Sequence, residues 1–286
     1  MSDGAKYRNG VVGKLAELVR ETSSSLPEDV ERAIKAASRR EERGSSAAVV
    51  LGTILDNVKV ARKASTPLCQ DTGTLTFFIG SDLRCKVRPD HVKKAVALAT
   101  KKGWLRKNTI DSVTGKSHDD NCADGAPVVH YVDEMRGKVT LVMKGGGSEN
   151  MSRQYSLPDS ELGAGRDLEG VRKCVLDAVF RAQGYGCAPG ILGVCIGGDR
   201  ATGYETAKMQ LLRPLGDRNP DRKLGALERG ILADANSLGI GPMGLGGKTT
   251  LLGVKIAAKP RVPASFFVTV AYMCWAMRRR TWEAKS

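Results

Sequence analysis

The sequence predicts a mixed α/β protein, an N-terminal helical segment followed by an α/β body with short mixed β-sheets. Three observations predict it. The first 64 residues read as helices; after Thr66-Pro67 the chain breaks into short β-branched or aromatic runs bounded by Gly, Pro or charge; and helical patterns lie between those runs. In the helical lead, Pro27 precedes Glu28 and Asp29, and the segment closes on Arg39-Arg40-Glu41-Glu42-Arg43, the charge order that a helix dipole favours. Ser45 and Ser46 can cap a further helix in which Val49, Val50, Ile54, Val58 and Val60 recur at roughly helical spacing. In the body, the runs at 74–79, 128–132, 138–143, 191–196, 250–256 and 266–272 read as strands, and those at 91–102, 168–183, 202–212 and 224–238 as helices. No repeat period appears and no long linker divides the chain. It reads as one domain over 1–286, a helical extension at 1–64 and a body at 65–286.

A chain of 286 residues with 41% hydrophobic residues can bury its own cores, so neither a disulfide nor a structural metal is needed for folding. No apolar stretch opens the sequence, and the apolar run at 266–277 is interrupted by Thr269 and too short to span a bilayer, so neither membrane insertion nor secretion is expected. Seven cysteines, an odd number, point to a reducing compartment, a cytoplasmic location, and thiols available for metal or redox chemistry. The net charge of +14 favours an anionic partner. The basic residues are scattered, however, and aromatics make up only 5%, which argues against a nucleic-acid module. Arg39-Arg40, Lys101-Lys102 and the arginines at 278–280 read as solvated helix faces and ends.

Four turns are too rich in Gly, and too polar, for ordinary connections: Cys69-Gln70-Asp71-Thr72-Gly73, and those at 145–150, 184–190 and 239–250. Glycine admits close approach to a ligand and presents unobstructed N–H groups, though tight strand-to-helix turns would use it too. The last turn ends Gly246-Gly247-Lys248-Thr249-Thr250 and invites a phosphate-loop reading. That pattern needs Gly where Pro242 stands, and a strand before the loop where a helical pattern lies, so nucleotide binding is rejected. Among the cysteines, Cys85 and Cys195 fall in strand-like runs, Cys174 in a helical pattern and Cys122 in a polar loop with no evident role. Cys69, Cys187 and Cys274 fall at element ends. With no local C-x-x-C pair, a zinc ribbon and a two-cysteine redox motif are excluded, and spacing alone only weakly suggests that distant cysteines hold a cluster.

These blocks, with Gly186-Cys187-Ala188-Pro189, Ile240-Gly241-Pro242-Met243-Gly244-Leu245 and Met273-Cys274-Trp275-Ala276, carry a resemblance. In order, over nearly the whole chain, they resemble the signature blocks of the class I, iron–sulfur-dependent fumarate hydratases and L(+)-tartrate dehydratases, more narrowly their separate α subunit. Ser148-Glu149-Asn150 is closer to the fumarate hydratases. The resemblance implies a [4Fe-4S] cluster held by Cys69, Cys187 and Cys274, with its fourth iron open to substrate or water, acting as a Lewis acid in C–O cleavage. It implies that Asp71 takes part in acid/base chemistry, that Gln70 and Arg106 bind the substrate's carboxylates, and that Gly145, Gly146 and Gly147 offer backbone N–H groups. Without the resemblance, Asp71 also reads as an Asx turn and Arg106 as a helix-end cation.

Two departures stand out. Family members carry a histidine twelve residues before the third cluster cysteine, where this chain has Val262, and single-chain members continue into a further domain beyond the length of this chain. The expected activity is therefore that of a hydro-lyase α subunit working with a β subunit, as αβ or α2β2, on a small dicarboxylate. Fumarate to L-malate is expected first, with L-tartrate dehydratase and mesaconate hydratase as alternatives. The readings outside this class are a basic nucleic-acid or acidic-surface binder, motivated by charge, and a non-catalytic cluster-bearing scaffold.

Overall fold

The computed structural model describes residues 10–284; the outermost residues of the 1–286 span lie outside the described residues. In chain order the helices are α1 (Val11–Ser24), α2 (Glu28–Arg40), α3 (Ser46–Ala64), α4 (Pro89–Lys101), α5 (Gly146–Asn150), α6 (Leu168–Ala182), α7 (Arg200–Gln210) and α8 (Arg222–Ser237). The strands are β1 (Thr74–Gly80), β2 (Thr109–Ile110), β3 (Ser117–His118), β4 (Val128–Val132), β5 (Lys138–Lys144), β6 (Arg153–Ser156), β7 (Gly190–Gly197), β8 (Leu251–Lys259), β9 (Phe267–Met273) and β10 (Arg278–Glu283). Helices and short mixed sheets alternate as the sequence predicts. The chain forms two compact units, one built from residues 10–27, 56–146 and 276–284, the other from Glu28–Leu55 and Gly147–Trp275.

Unit 1 is organised on a four-stranded sheet of order β10-β5-β1-β4, in which β1 runs parallel to β4 and antiparallel to β5, and β10 runs antiparallel to β5. Alternate residues of β1 (Leu75, Phe77, Ile79) and β5 (Val139, Leu141, Met143) turn to one face. There they bury against the apolar stripes of α1 (Leu15, Leu18, Val19) and α4 (Val92, Ala95, Val96, Ala99). Pro89 occupies the first turn of α4, where its missing N–H costs nothing.

Unit 2 repeats the strand pairing. Its sheet has order β6-β9-β7-β8, with β7 parallel to β8 and antiparallel to β9, and β6 antiparallel to β9. Every residue of β7 is buried, because helices cover both faces. Leu192, Val194 and Ile196 pack against α6 and α8. On the other side Gly193 lets α7 approach so closely that a Cβ would overlap the Ala207 carbonyl. Asp167, Asp199 and Asp221 cap α6, α7 and α8 through their carboxylates. The acidic first turn and basic last turn of α2 are as the charge order predicts.

The edge strands are exchanged. Strand β6 follows β5 along the chain but pairs with β9, and β10 follows β9 but pairs with β5. Three expectations are corrected here. The arginines at 278–280 form a strand and not a helix face, because pairing of Arg278, Arg279 and Arg280 with Met143, Val142 and Leu141 overrides weak local β propensity. Arg278 is buried. Cys85 lies exposed in a turn after the short helix Ser81–Leu83, and not in a strand.

Candidate functional site

Antiparallel pairing decides which loops meet in unit 1. Strand β1 starts at Thr74, immediately after the Cys69-Gly73 turn, and Thr74 stands opposite Lys144 at the end of β5. Arg278, opposite Met143, starts β10 at the same end of the sheet. The turn is drawn onto β5 at Gly73, which has φ 76° and leaves no room for a Cβ against the Lys144 carbonyl. Asp71, Gly145 and Arg278 are thereby brought together. A Cβ on Gly145 would lie 2.9 Å from Asp71 Oδ2 and 3.9 Å from Arg278 Nη2.

Asp71 is half-buried, and its Oδ1 accepts a hydrogen bond from Asn108 Nδ2 at 3.0 Å, across the site and not within its own turn. Arg106 lies beyond the end of α4, with its backbone fixed and its side chain exposed. Its N–H donates to Thr72 Oγ1 at 3.0 Å, and its carbonyl accepts from Thr72 Oγ1 at 3.0 Å and from Asn121 Nδ2 at 2.9 Å. Asn121 is 1% exposed and fully engaged. Its Oδ1 also accepts from the Asn108 and Thr109 N–H groups at 2.8 and 3.1 Å, so one buried amide holds the 106–109 segment in place. Gln70 is exposed, Cys69 half-buried, Gly145 buried and Gly146 exposed. Leu68, just ahead of Cys69, is tied by its N–H to Ser23 O and by its carbonyl to Asn57 Nδ2 at 2.8 and 2.9 Å.

Unit 2 gathers its loops at the corresponding end of its sheet. Cys187 lies just before β7, and Cys274 follows β9, whose Met273 stands opposite Ile191. Trp275 N–H donates to Cys187 O at 3.2 Å, which joins the two cysteine segments. Cys187 holds a left-handed backbone with φ 48° and ψ 58°, uncommon for a side chain other than Gly, Asn or Asp and fixed here by its own N–H bonding to Gly184 O. The Tyr272 ring fills the space left by Gly186 and Gly190, where a Cβ would come within 2.6 Å of it. Burial pushes the Tyr272 phenol up, and nearby Cys274 and Cys187 push it the same way. Met243 N–H reaches Ala188 O at 2.9 Å, so the 239–250 loop lies against the Cys187 segment. That loop follows α8 and precedes β8, as its rejection as a phosphate loop requires, and its Lys248 N–H donates to the Glu41 carboxylate at 2.9 Å. Gly147 is exposed, while neighbouring Ser148 is buried with its hydroxyl 4.0 Å from Met273 Sδ.

The cysteines separate by surroundings. None of the seven forms a disulfide. Burial raises the Cys174 thiol to about 12 and the Cys122 thiol to about 11, and raises that of Cys195, so all three stay protonated at neutral pH. Cys122 packs beside α4, its Sγ donating to Lys93 O at 3.4 Å. Among the described residues no three His, Cys, Asp or Glu side chains are grouped to hold a single metal ion. Sequence reasoning passed over Asn108, Asn121 and Arg278. Asn108 ends the Trp104-Leu105-Arg106-Lys107-Asn108 block and could have been found there; the other two carried no local signal.

The fumarate hydratase (Fumerase) family matches residues 12–283. A protein of Geobacillus stearothermophilus named as a class I fumarate hydratase is 51% identical over 271 residues, which cover 92% of this chain and 52% of the relative. One of Methanocaldococcus jannaschii named as an L(+)-tartrate dehydratase subunit alpha is 34% identical over 93% of this chain and 94% of the relative. The L(+)-tartrate dehydratase subunit alpha of Escherichia coli K12 is 32% identical over 98% and 93%. The chain thus spans about half the length of the Geobacillus relative and nearly all of the two alpha subunits.

Proposed function

Because this chain belongs to the fumarate hydratase (Fumerase) family, we propose that it is the α component of a hydro-lyase that reversibly adds water to a small dicarboxylate, fumarate to L-malate. The observation that carries the reading is the anchored carboxylate of Asp71 at the glycine-lined end of the unit 1 sheet. Fumarate is favoured over L-tartrate by the higher identity to the relative named for fumarate, 51% against 34% and 32%.

Cys69, Cys187 and Cys274 would hold a [4Fe-4S] cluster, and the fit rests on the donor set: three thiols at strand mouths, none in a disulfide, two of them in segments joined by the Trp275–Cys187 bond. When bound, the cluster supplies an iron with an open position, a Lewis acid toward a hydroxyl oxygen. The chain's own residues do the rest. Asp71 Oδ2, free of the Asn108 bond that fixes Oδ1, exchanges the proton. Arg106 presents an exposed guanidinium from a rigid backbone to a substrate carboxylate, and Gln70, exposed on the Cys69 turn, donates a hydrogen bond to a carboxylate. The 145–147 backbone, bare of side chains, offers N–H groups to the other. A β subunit completes the pocket, giving αβ or α2β2.

The test is anaerobic co-purification with the β subunit, iron–sulfide reconstitution and an assay of fumarate, mesaconate, L-malate and L-tartrate. Turnover of fumarate and L-malate is expected, and a loaded complex that leaves all four untouched would refute the reading. Full activity of the loaded chain by itself would refute the need for a partner. Val262 does not support mesaconate as a second substrate: it lies exposed in the turn between β8 and β9, at the end of the unit 2 sheet where Gly197 stands opposite Lys259, a full strand length from the end that carries Cys187 and Cys274.

A further inference from the structure

We propose that Arg278 binds a substrate carboxylate over Gly145, an inference that rests on the hydro-lyase reading and gives its anionic substrate a second guanidinium beside Arg106. Arg278 is 1% exposed, and its Nε, Nη1 and Nη2 are all buried without a hydrogen-bond partner. A guanidinium withdrawn from water and left unpaired is costly, and a fold keeps one where its counter-charge is brought by a ligand. The surroundings point the same way. Arg278 Nη2 and Asp71 Oδ2 approach the Cβ-less face of Gly145 at 3.9 and 2.9 Å, without bonding each other. Gly146 is exposed, and a Cβ there would sit 3.7 Å from the same Asp71 oxygen, so this edge of Asp71 runs from the buried guanidinium to the surface. Arginine presents five donors in a planar fork that matches a carboxylate on two bonds, and its charge offsets the repulsion between that carboxylate and Asp71. The register fixes this placement, since β10 sets Arg278 opposite Met143, two residues before Gly145 on the same side of the sheet.

The experiment is thermal unfolding of the full chain, as wild type, Arg278→Met and Arg278→Lys, titrated with succinate, a dicarboxylate with no double bond to hydrate, and separately with inorganic phosphate. Succinate should raise the wild-type Tm saturably. Arg278→Met should weaken the apparent affinity about 10–100-fold and Arg278→Lys less, as loss of hydrogen bonds to a charged group predicts. Without anion, Arg278→Met should melt at or above the wild type, because it removes an uncompensated buried charge. Unchanged succinate affinity in Arg278→Met overturns the proposal, as does the absence of a saturable shift in the wild type. A wild-type shift with phosphate but not succinate overturns the carboxylate assignment. Arg278→Met protein that binds succinate normally but loses reconstituted iron assigns the residue to the cluster instead. Succinate binding through Arg278 in a loaded complex that hydrates nothing would leave this site standing and remove the hydro-lyase reading.

Discussion

Units 1 and 2 carry the same four-stranded pairing, an edge strand antiparallel to its neighbour, that neighbour antiparallel to the central strand, and a parallel strand beyond, yet the equivalent ends of the two sheets hold different chemistry. Around β1 the loops supply a carboxylate, a buried guanidinium and bare backbone; around β7 they supply two thiols against a buried phenol. In the function we propose, one strand arrangement would serve proton and anion chemistry in one place and soft metal ligation in the other. The start of the central strand is where both can be built, because it is where an antiparallel neighbour ends.

Single changes separate the two roles. Asp71→Asn should lower turnover by about 10²–10⁴-fold while the reconstituted iron content stays at the wild-type level. Cys187→Ser and Cys274→Ser should lose both, the iron loss read by metal analysis. Equal iron loss in Asp71→Asn would erase the division of labour. Next in size, Gly193→Ala forces a Cβ onto the Ala207 carbonyl between β7 and α7, and should cost about 1–3 kcal/mol in urea unfolding. Gly145→Ala meets the movable end of Asp71, so it should cost less stability but more turnover. Equal effects on both measurements would end the contrast.

A smaller effect belongs to unit 2 alone. Burial pushes the Asp217 carboxyl up, but hydrogen bonds from Arg213 and Lys255 outweigh it and leave it below the ordinary carboxylate range. A depressed folded value means that the stabilisation is fully present above the unfolded value of about 3.9 and is lost as pH falls through the folded one. Asp217→Asn should cost about 1 kcal/mol at neutral pH, discounted for its partial exposure, and should flatten the acid limb of the stability curve. The smallest test is thiol labelling with iodoacetamide at pH 7.5. Exposed Cys85 should be alkylated well before Cys122, Cys174 and Cys195, whose buried thiols are raised, and early modification of Cys174 would contradict the packing of α6.

Much of this was legible in the chain. Strands β1, β4, β5, β7, β8 and β9 announce themselves as β-branched runs between Gly and Pro, and Cys187 and Cys274 are visibly set at strand ends. Strand β10, Arg-Arg-Arg-Thr-Trp-Glu, is invisible to any local criterion, because only pairing with β5 makes it a strand. Strand β6 lacks β-branched residues for the same reason. Asn121 holds the 106–109 segment through bonds spanning 12 to 15 residues, and nothing near it in sequence marks the partners. The boundary between the units is hidden likewise, since it cuts the chain at several places and no linker accompanies it.

The exchanged edge strands also set a timetable for synthesis. Unit 1 is begun first, yet its fourth strand, β10, leaves the ribosome only after all of unit 2. Until then the nascent chain carries β5 with an open edge, a template for pairing with other chains, and with the mouth of the Asp71 site still lacking Arg278. Strand β10 thus both shields the sheet and delivers the buried cation, so release of the polypeptide before β10 is made would leave the β5 edge open to aggregation.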